Sequence, residues 1–184
     1  SIRIGIRGLT AAELGALALL GGDEGIPTLA EVLALVAGRV PILIEVKEQD
    51  GAMGPAVGDL ERAVADEIRA YDGPVALMSF NPHSVAALAE AAPDRPRGLT
   101  TSAYRMLDWP LLPHQVREHL RDIPDLARTG SSFISHEAAD LDRPLIAELK
   151  KRGTRILTWT IRSPEAEAMA RKVAENVTFE TYAA

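Results

Sequence analysis

Pro41-Ile42-Leu43-Ile44-Glu45-Val46-Lys47 is an apolar run of strand length that closes on two opposite charges. Side chains alternate along a strand, so Glu45 and Lys47 point one way while Ile42, Ile44 and Val46 point the other. A strand apolar on both faces until its last residues suits a parallel sheet with helices packed outside. In such sheets, and above all in closed barrels, chemistry sits at the carboxyl ends of the strands. A carboxylate and an ammonium two residues apart at such an end can hold a cation and an anion side by side, as a metal-assisted phosphate site does. The plainer reading is an ion pair at the rim of the domain.

Working outward, Thr28-Leu29-Ala30-Glu31 is a capping box that predicts a helix through Val36, with Leu29, Val32, Leu33 and Val36 as its apolar stripe. Thr10-Ala11-Ala12-Glu13 is another, predicting a short helix that stops before Gly21-Gly22. Ser1 to Gly8 alternate Ile with Arg or Gly and read as a strand. After the charged strand comes a glycine-rich loop, then a helix predicted over 60–71 and stopped by Asp72-Gly73-Pro74. Val75 to Phe80 reads as a buried strand, and Asn81-Pro82 caps a helix to about Ala91. Gly98 to Thr101 is a short strand, and the prolines of 103–128 forbid one long helix there. Strands over 131–135, 155–160 and 176–179 alternate with helices over 144–152 and from 164 to about 175.

The strands therefore begin near residues 41, 75, 98, 131, 155 and 176, at the period of βαβ units. No linker divides the chain, so residues 1–184 read as a single domain. The fold class predicted is α/β, a TIM (β/α)8-type barrel. A complete one takes about 250 residues, so this chain is short by about two units, the shortfall lying before residue 28.

Composition narrows the chemistry. The chain of 184 residues has a net charge of −6 and no basic run, so nucleic acid is not an expected partner. It has no cysteine, which removes disulfides and thiolate metal sites. A metal would have to sit on carboxylates or on the four histidines, favouring a hard cation. No apolar run is long enough to span a bilayer, and the N-terminus lacks a signal-peptide core. A cytoplasmic protein is the expectation, although a processed periplasmic chain would have the same features.

Four blocks, taken together, resemble the glycerophosphodiester phosphodiesterase family, most closely its bacterial members. They are Ile26-Pro27-Thr28-Leu29-Ala30-Glu31-Val32-Leu33, Pro41 to Lys47, Met78-Ser79-Phe80-Asn81-Pro82 and Leu157-Thr158-Trp159-Thr160. They come in that family's order and spacing. The resemblance implies a TIM barrel that hydrolyses glycerophosphodiesters to an alcohol and glycerol 3-phosphate, in lipid and glycerol metabolism. It also implies a divalent cation, Ca or Mg, on three acidic residues, and two histidines as general acid and base. On this chain Glu45 matches the third acidic metal ligand, Lys47 the cation that steadies the phosphate, and Trp159 an aromatic of the substrate cleft. The first-strand His-Arg-Gly, the Glu-x-Asp and the following His-Asp pair of the family have no counterpart. Residues 1–25 therefore read as a divergent or truncated segment, and strands three to eight of the barrel as present. Arg162 and Glu180 stand where many members have Asn and Asp.

The other candidates are weaker. Phe80 and Asn81 at a strand end could line the cleft, though helix capping explains Asn81. Ser79 lacks a nucleophile elbow and reads as a packing or hydrogen-bonding serine. His83 reads as a surface residue, and His114 and His119 are not spaced as a helix-face metal pair. His136 is read as following a strand, at the catalytic end, and is the one histidine kept as a catalytic candidate. Asp140 and Asp142 read as the start of the next helix.

The expected function is metal-dependent phosphodiester hydrolysis of a small-molecule glycerophosphodiester, with this chain alone inactive or nearly so. General acid and base groups contribute roughly 10²–10⁴-fold each, and the matching histidines are missing. The alternative is a non-catalytic barrel relative that binds or assembles, as a homo-oligomer through its open strand edges.

Overall fold

The computed structural model describes residues 8–183. Its frame is one sheet of six parallel strands in chain order: β1 (Ile42–Glu45), β2 (Val75–Ser79), β3 (Arg97–Thr101), β4 (Phe133–Glu137), β5 (Arg155–Ile161) and β6 (Asn176–Phe179). The ladder advances by one neighbour at each step, pairing Ile42 with Val75, Gly98 with Phe133 and Glu137 with Trp159. Parallel crossovers are right-handed. Steps that all advance in one direction therefore place all the crossover helices on one face of the sheet. The result is an α/β fold with a half-barrel sheet.

The helices are α1 (Ala11–Gly15), α2 (Leu29–Val36), α3 (Asp59–Ile68), α4 (Pro82–Ala91), α5 (His114–Arg121), α6 (Leu126–Thr129), α7 (Pro144–Lys151) and α8 (Pro164–Ala170). Both capping boxes form: the Thr10 and Thr28 hydroxyls accept from the Glu13 and Glu31 amides, each at 3.2 Å. Asn81 caps α4 by accepting from the His83 amide at 2.9 Å.

Alternation along the strands produces two unlike faces. Ile42, Ile44, Val46, Val75 and Leu77 pack with α2 and α3 residues such as Leu33, Val64 and Ile68. Leu99, Ile134 and Ile156 pack with Val85 of α4, Ile146 and Leu149 of α7 and Ala170 of α8. These residues define the helix-covered outer face. Glu45, Met78, Thr100, Glu137 and Trp159 take the alternate positions, on the inner face.

Several boundaries differ from the sequence expectation. The helix from Thr10 ends at Gly15 rather than near Gly21. The helix of 60–71 stops at Ile68, and that from Ser163 stops at Ala170. The strand predicted to end at Ser135 runs to Glu137. Asp140 closes a 3₁₀ turn, Ala138–Asp140, and Arg143 takes the cap of α7, so neither Asp140 nor Asp142 starts that helix. The strand expected over residues 1–8 lies outside the described residues apart from Gly8. Among the described residues β1 and β6 each keep one unpaired edge, and no helix is long and apolar enough to cross a membrane.

Candidate active-site mouth

Glu45 is the last residue of β1, and its position on the inner face follows from the three outer-face neighbours Ile42, Ile44 and Val46. Its Oε2 meets Lys47 Nζ at 2.8 Å, with the Lys47 side chain 72% exposed. Its other oxygen, Oε1, is buried and has no partner among the described residues. Thr100 Oγ1 and Ser135 Oγ, also on the inner face, are buried and unpartnered in the same way. The strand end thus offers an unspent carboxylate oxygen inside and an exposed ammonium outside.

The aromatic side chains of the sheet's carboxyl end gather into one wall. Phe80, one residue past β2, meets Trp159 of β5 edge-on at 5.4 Å and Trp109 of the loop after β3 at 5.1 Å. Trp109 continues to Tyr104 at 5.1 Å. Trp159 is fixed by its indole N–H, which donates to the Ser135 carbonyl at 2.9 Å. Tyr104 is buried, and burial raises its hydroxyl pKa well above the usual value. The chain has only two tryptophans, and both are in this wall.

Glu137, the last residue of β4, organises the loop that brings Trp109 in. Its Oε2 accepts from Ser102 Oγ at 2.8 Å and from the Ala103 amide at 3.0 Å, and its Oε1 from Arg105 at 3.0 Å. Trp109 Nε1 in turn donates to Ser102 Oγ at 3.3 Å. Burial opposes ionisation of Glu137, but the Ala103, Ser102 and Arg105 donors outweigh it and hold the carboxyl below its usual range. Glu137 was not singled out in the sequence. A strand ending at Ser135 hides the alternation that sends Glu137 inward.

The same alternation sends His136 the other way. It is fully buried on the outer face, with Nδ1 2.8 Å from Thr101 Oγ1 and Nε2 3.3 Å from Asp140 Oδ2. Desolvation lowers its pKa, partly offset by Asp140. The structure therefore brings Glu45, Lys47, Phe80 and Trp159 to the carboxyl end and separates His136 from them by the thickness of the sheet. Ser79 also faces outward, donating to the Val46 carbonyl at 2.7 Å. Asn81 donates to Glu48 Oε1 and to the Gly54 carbonyl, at 3.2 and 2.9 Å, tying down the loop after β1. Arg162 and Glu180 form an ion pair at 3.1 Å.

Ca and Mg ions take six or more oxygens from several ligands. Among the described residues no group of three or more His, Asp or Glu side chains is placed to hold a metal. Glu45 Oε1 suits one coordination position.

A family model described as the glycerophosphoryl diester phosphodiesterase family matches residues 5–178. No curated protein matches the chain. Among solved structures, the chain is similar to an Oleispira antarctica phosphodiesterase determined with the product sn-glycerol-3-phosphate. The TM-score is 0.69 at 20% identity, covering 95% of this chain and 68% of that one. It is similar to a glycerophosphodiester phosphodiesterase from Thermotoga maritima at TM-score 0.66 and 17% identity, covering 97% and 69%. A Silicibacter pomeroyi structure matches at TM-score 0.66 and 22% identity, covering 86% of this chain and 54% of that one. The chain thus spans from about half to about two thirds of the length of these structures, and at such identities the likeness is one of fold.

Proposed function

Because this chain belongs to the glycerophosphoryl diester phosphodiesterase family, we propose that it forms the phosphate-facing part of a barrel that hydrolyses glycerophosphodiesters to an alcohol and glycerol 3-phosphate. Its six strands are strands three to eight of that barrel. One observation supports the reading above the others: Glu45 keeps a buried, unpartnered oxygen beside the Lys47 ammonium at the carboxyl end of a parallel strand. Glu45 is one ligand of a divalent cation, Ca or Mg, whose other ligands the described residues do not supply. Lys47, exposed and flexible, offsets charge that builds on the phosphate. Phe80 and Trp159 line the substrate side of the mouth. His136 packs the outer layer and takes no part in proton transfer.

This chain by itself is inactive or nearly so, since among the described residues no imidazole bonds to Glu45, Lys47 or Trp159. The test is turnover of glycerophosphocholine by the purified 184-residue chain, with Ca or Mg present. No release of glycerol 3-phosphate above background is expected. Rapid turnover would overturn this reading.

A second reading has its own observation. Among the described residues two strands, β1 and β6, keep an open edge, with Leu43 and Phe179 exposed on them. Open edges invite pairing between chains. Under this reading the chain assembles as a homo-oligomer and acts as a binding module. Sedimentation at several concentrations separates the two: a homogeneous monomer with a single cooperative melt removes the assembly reading.

A further inference from the structure

Two of the four histidines line one cavity beside the apolar cluster that backs the aromatic wall. A cavity of about 230 Å³ opens between the start of α4, α5 and α6. Its polar side consists of His83, Gln115, His119, Asp125 and Arg128, and Met53 supplies part of its apolar side. Asp125 is the fixed point, its side chain only 9% exposed. One oxygen accepts from His119 Nε2 at 2.8 Å and the other from Arg128 Nε at 2.7 Å. Burial opposes ionisation of Asp125, yet the Arg128 and His119 hydrogen bonds outweigh it and hold the carboxyl below its usual range. An ionised Asp125 can only accept. His119 therefore carries its proton on Nε2, and its other ring nitrogen, Nδ1, is the one left for a ligand.

The donors on this wall are unspent. Among the described residues, neither terminal amino group of Arg128 has a hydrogen-bond partner, nor do the side chains of His83 and Gln115. Asp125 holds the planar guanidinium and the imidazole in place without covering their outer edges. A forked guanidinium beside two imidazoles and an amide matches a tetrahedral oxyanion. A cation would meet Arg128, and the described residues offer no set of three ligands for a metal.

We propose that this pocket is a second ligand site, for a phosphate group, either free or as a phosphomonoester, held by Arg128, His119, His83 and Gln115. The ligand takes the two free Arg128 amino groups on one side. On the other, a protonated phosphate oxygen donates to His119 Nδ1. Asp125 is the positioning residue that keeps the guanidinium and the imidazole aimed outward.

The test is a titration with inorganic phosphate, followed by NMR of the four histidine rings, with sodium chloride at matched ionic strength as control. The rings of His83 and His119 are expected to shift and saturate, while those of His114 and His136 stay. Arg128→Gln is expected to weaken binding roughly tenfold or more, as for loss of a charge-assisted bond. Because that change also frees Asp125, His83→Gln serves as the second variant: it leaves both Asp125 bonds intact and is expected to weaken binding too. Lys47→Ala, at the mouth, is expected to leave the His83 and His119 shifts as they are. A parallel titration with sn-glycerol 3-phosphate separates the sources: equal shifts assign a phosphomonoester, and shifts from inorganic phosphate alone assign free phosphate. Shifts reproduced by chloride, shared by all four rings, or unchanged in both pocket variants would overturn the site.

Discussion

Ser102, in the loop after β3, donates a 2.8 Å hydrogen bond to Glu137 at the end of β4, and the same hydroxyl accepts from the Trp109 indole. One carboxylate thereby fixes the loop that completes the aromatic wall. Glu137→Ala leaves the Ser102 hydroxyl and the Ala103 amide without their acceptor in a partly buried setting. The expected cost is about 1–3 kcal/mol, read as a lower urea midpoint. Trp109 emission is expected to shift to the red, measured in a Trp159→Phe background where it is the only indole. The carboxyl is depressed in the folded state, so its contribution is present above the unfolded value of about 4.3 and fades as pH falls through the folded one.

His136 sets a pH dependence in a different window. Its folded pKa is lowered, chiefly by desolvation. The unfolded chain binds that proton near pH 6.5 and the folded chain resists it. The stability it contributes is thus complete above about pH 6.5 and is lost as pH falls toward the folded value. Urea midpoints measured from pH 7.5 down to pH 5 are expected to fall, and the fall is expected to be shallower in His136→Gln. Identical slopes in the two proteins would remove His136 as the cause.

Gly98 has no room for a side chain. A Cβ there would lie 2.4 Å from the Phe133 ring and 2.6 Å from the Phe133 carbonyl oxygen on the neighbouring strand. The ring can turn, but the backbone oxygen belongs to the β3–β4 ladder. Gly98→Ala is expected to destabilise the chain by about 1–3 kcal/mol through forced displacement, measured as a lower melting temperature.

Glu45→Gln is expected to do little to stability. Its one charged partner is a largely exposed lysine, and such pairs contribute up to about 1 kcal/mol. Calorimetry is expected to give a melting temperature within a few degrees of the parent chain. A large loss would mean that the carboxylate is held by structure rather than kept for a ligand.

The order of the elements was legible in the sequence because punctuation and periodicity agreed. Thr28-Leu29-Ala30-Glu31, Asn81-Pro82 and Ser163-Pro164 start helices where their capping chemistry says. The apolar runs between them form the six strands. The faces of β1 followed from alternation alone, and so did the meeting of Glu45 with Lys47. Helix ends were less legible, since Ile68 and Ala170 stop their helices with no strong breaker at the spot.

What the sequence by itself determined is therefore the class, the order of the six described strands and the pairing of Glu45 with Lys47 at the end of β1. Local propensity and a period of two or of 3.6 are properties of the chain within a few residues. The tertiary structure decided which face of β4 carries Glu137 and which carries His136, because that depends on where the strand pairs and stops. It also decided that Phe80, Trp109 and Trp159 touch, and that His119, Asp125 and Arg128 surround a cavity with His83. The three aromatic residues, and His83 with the Asp125 group, are far apart in the chain, and only the lateral order of the strands and the packing of α4, α5 and α6 bring them within reach.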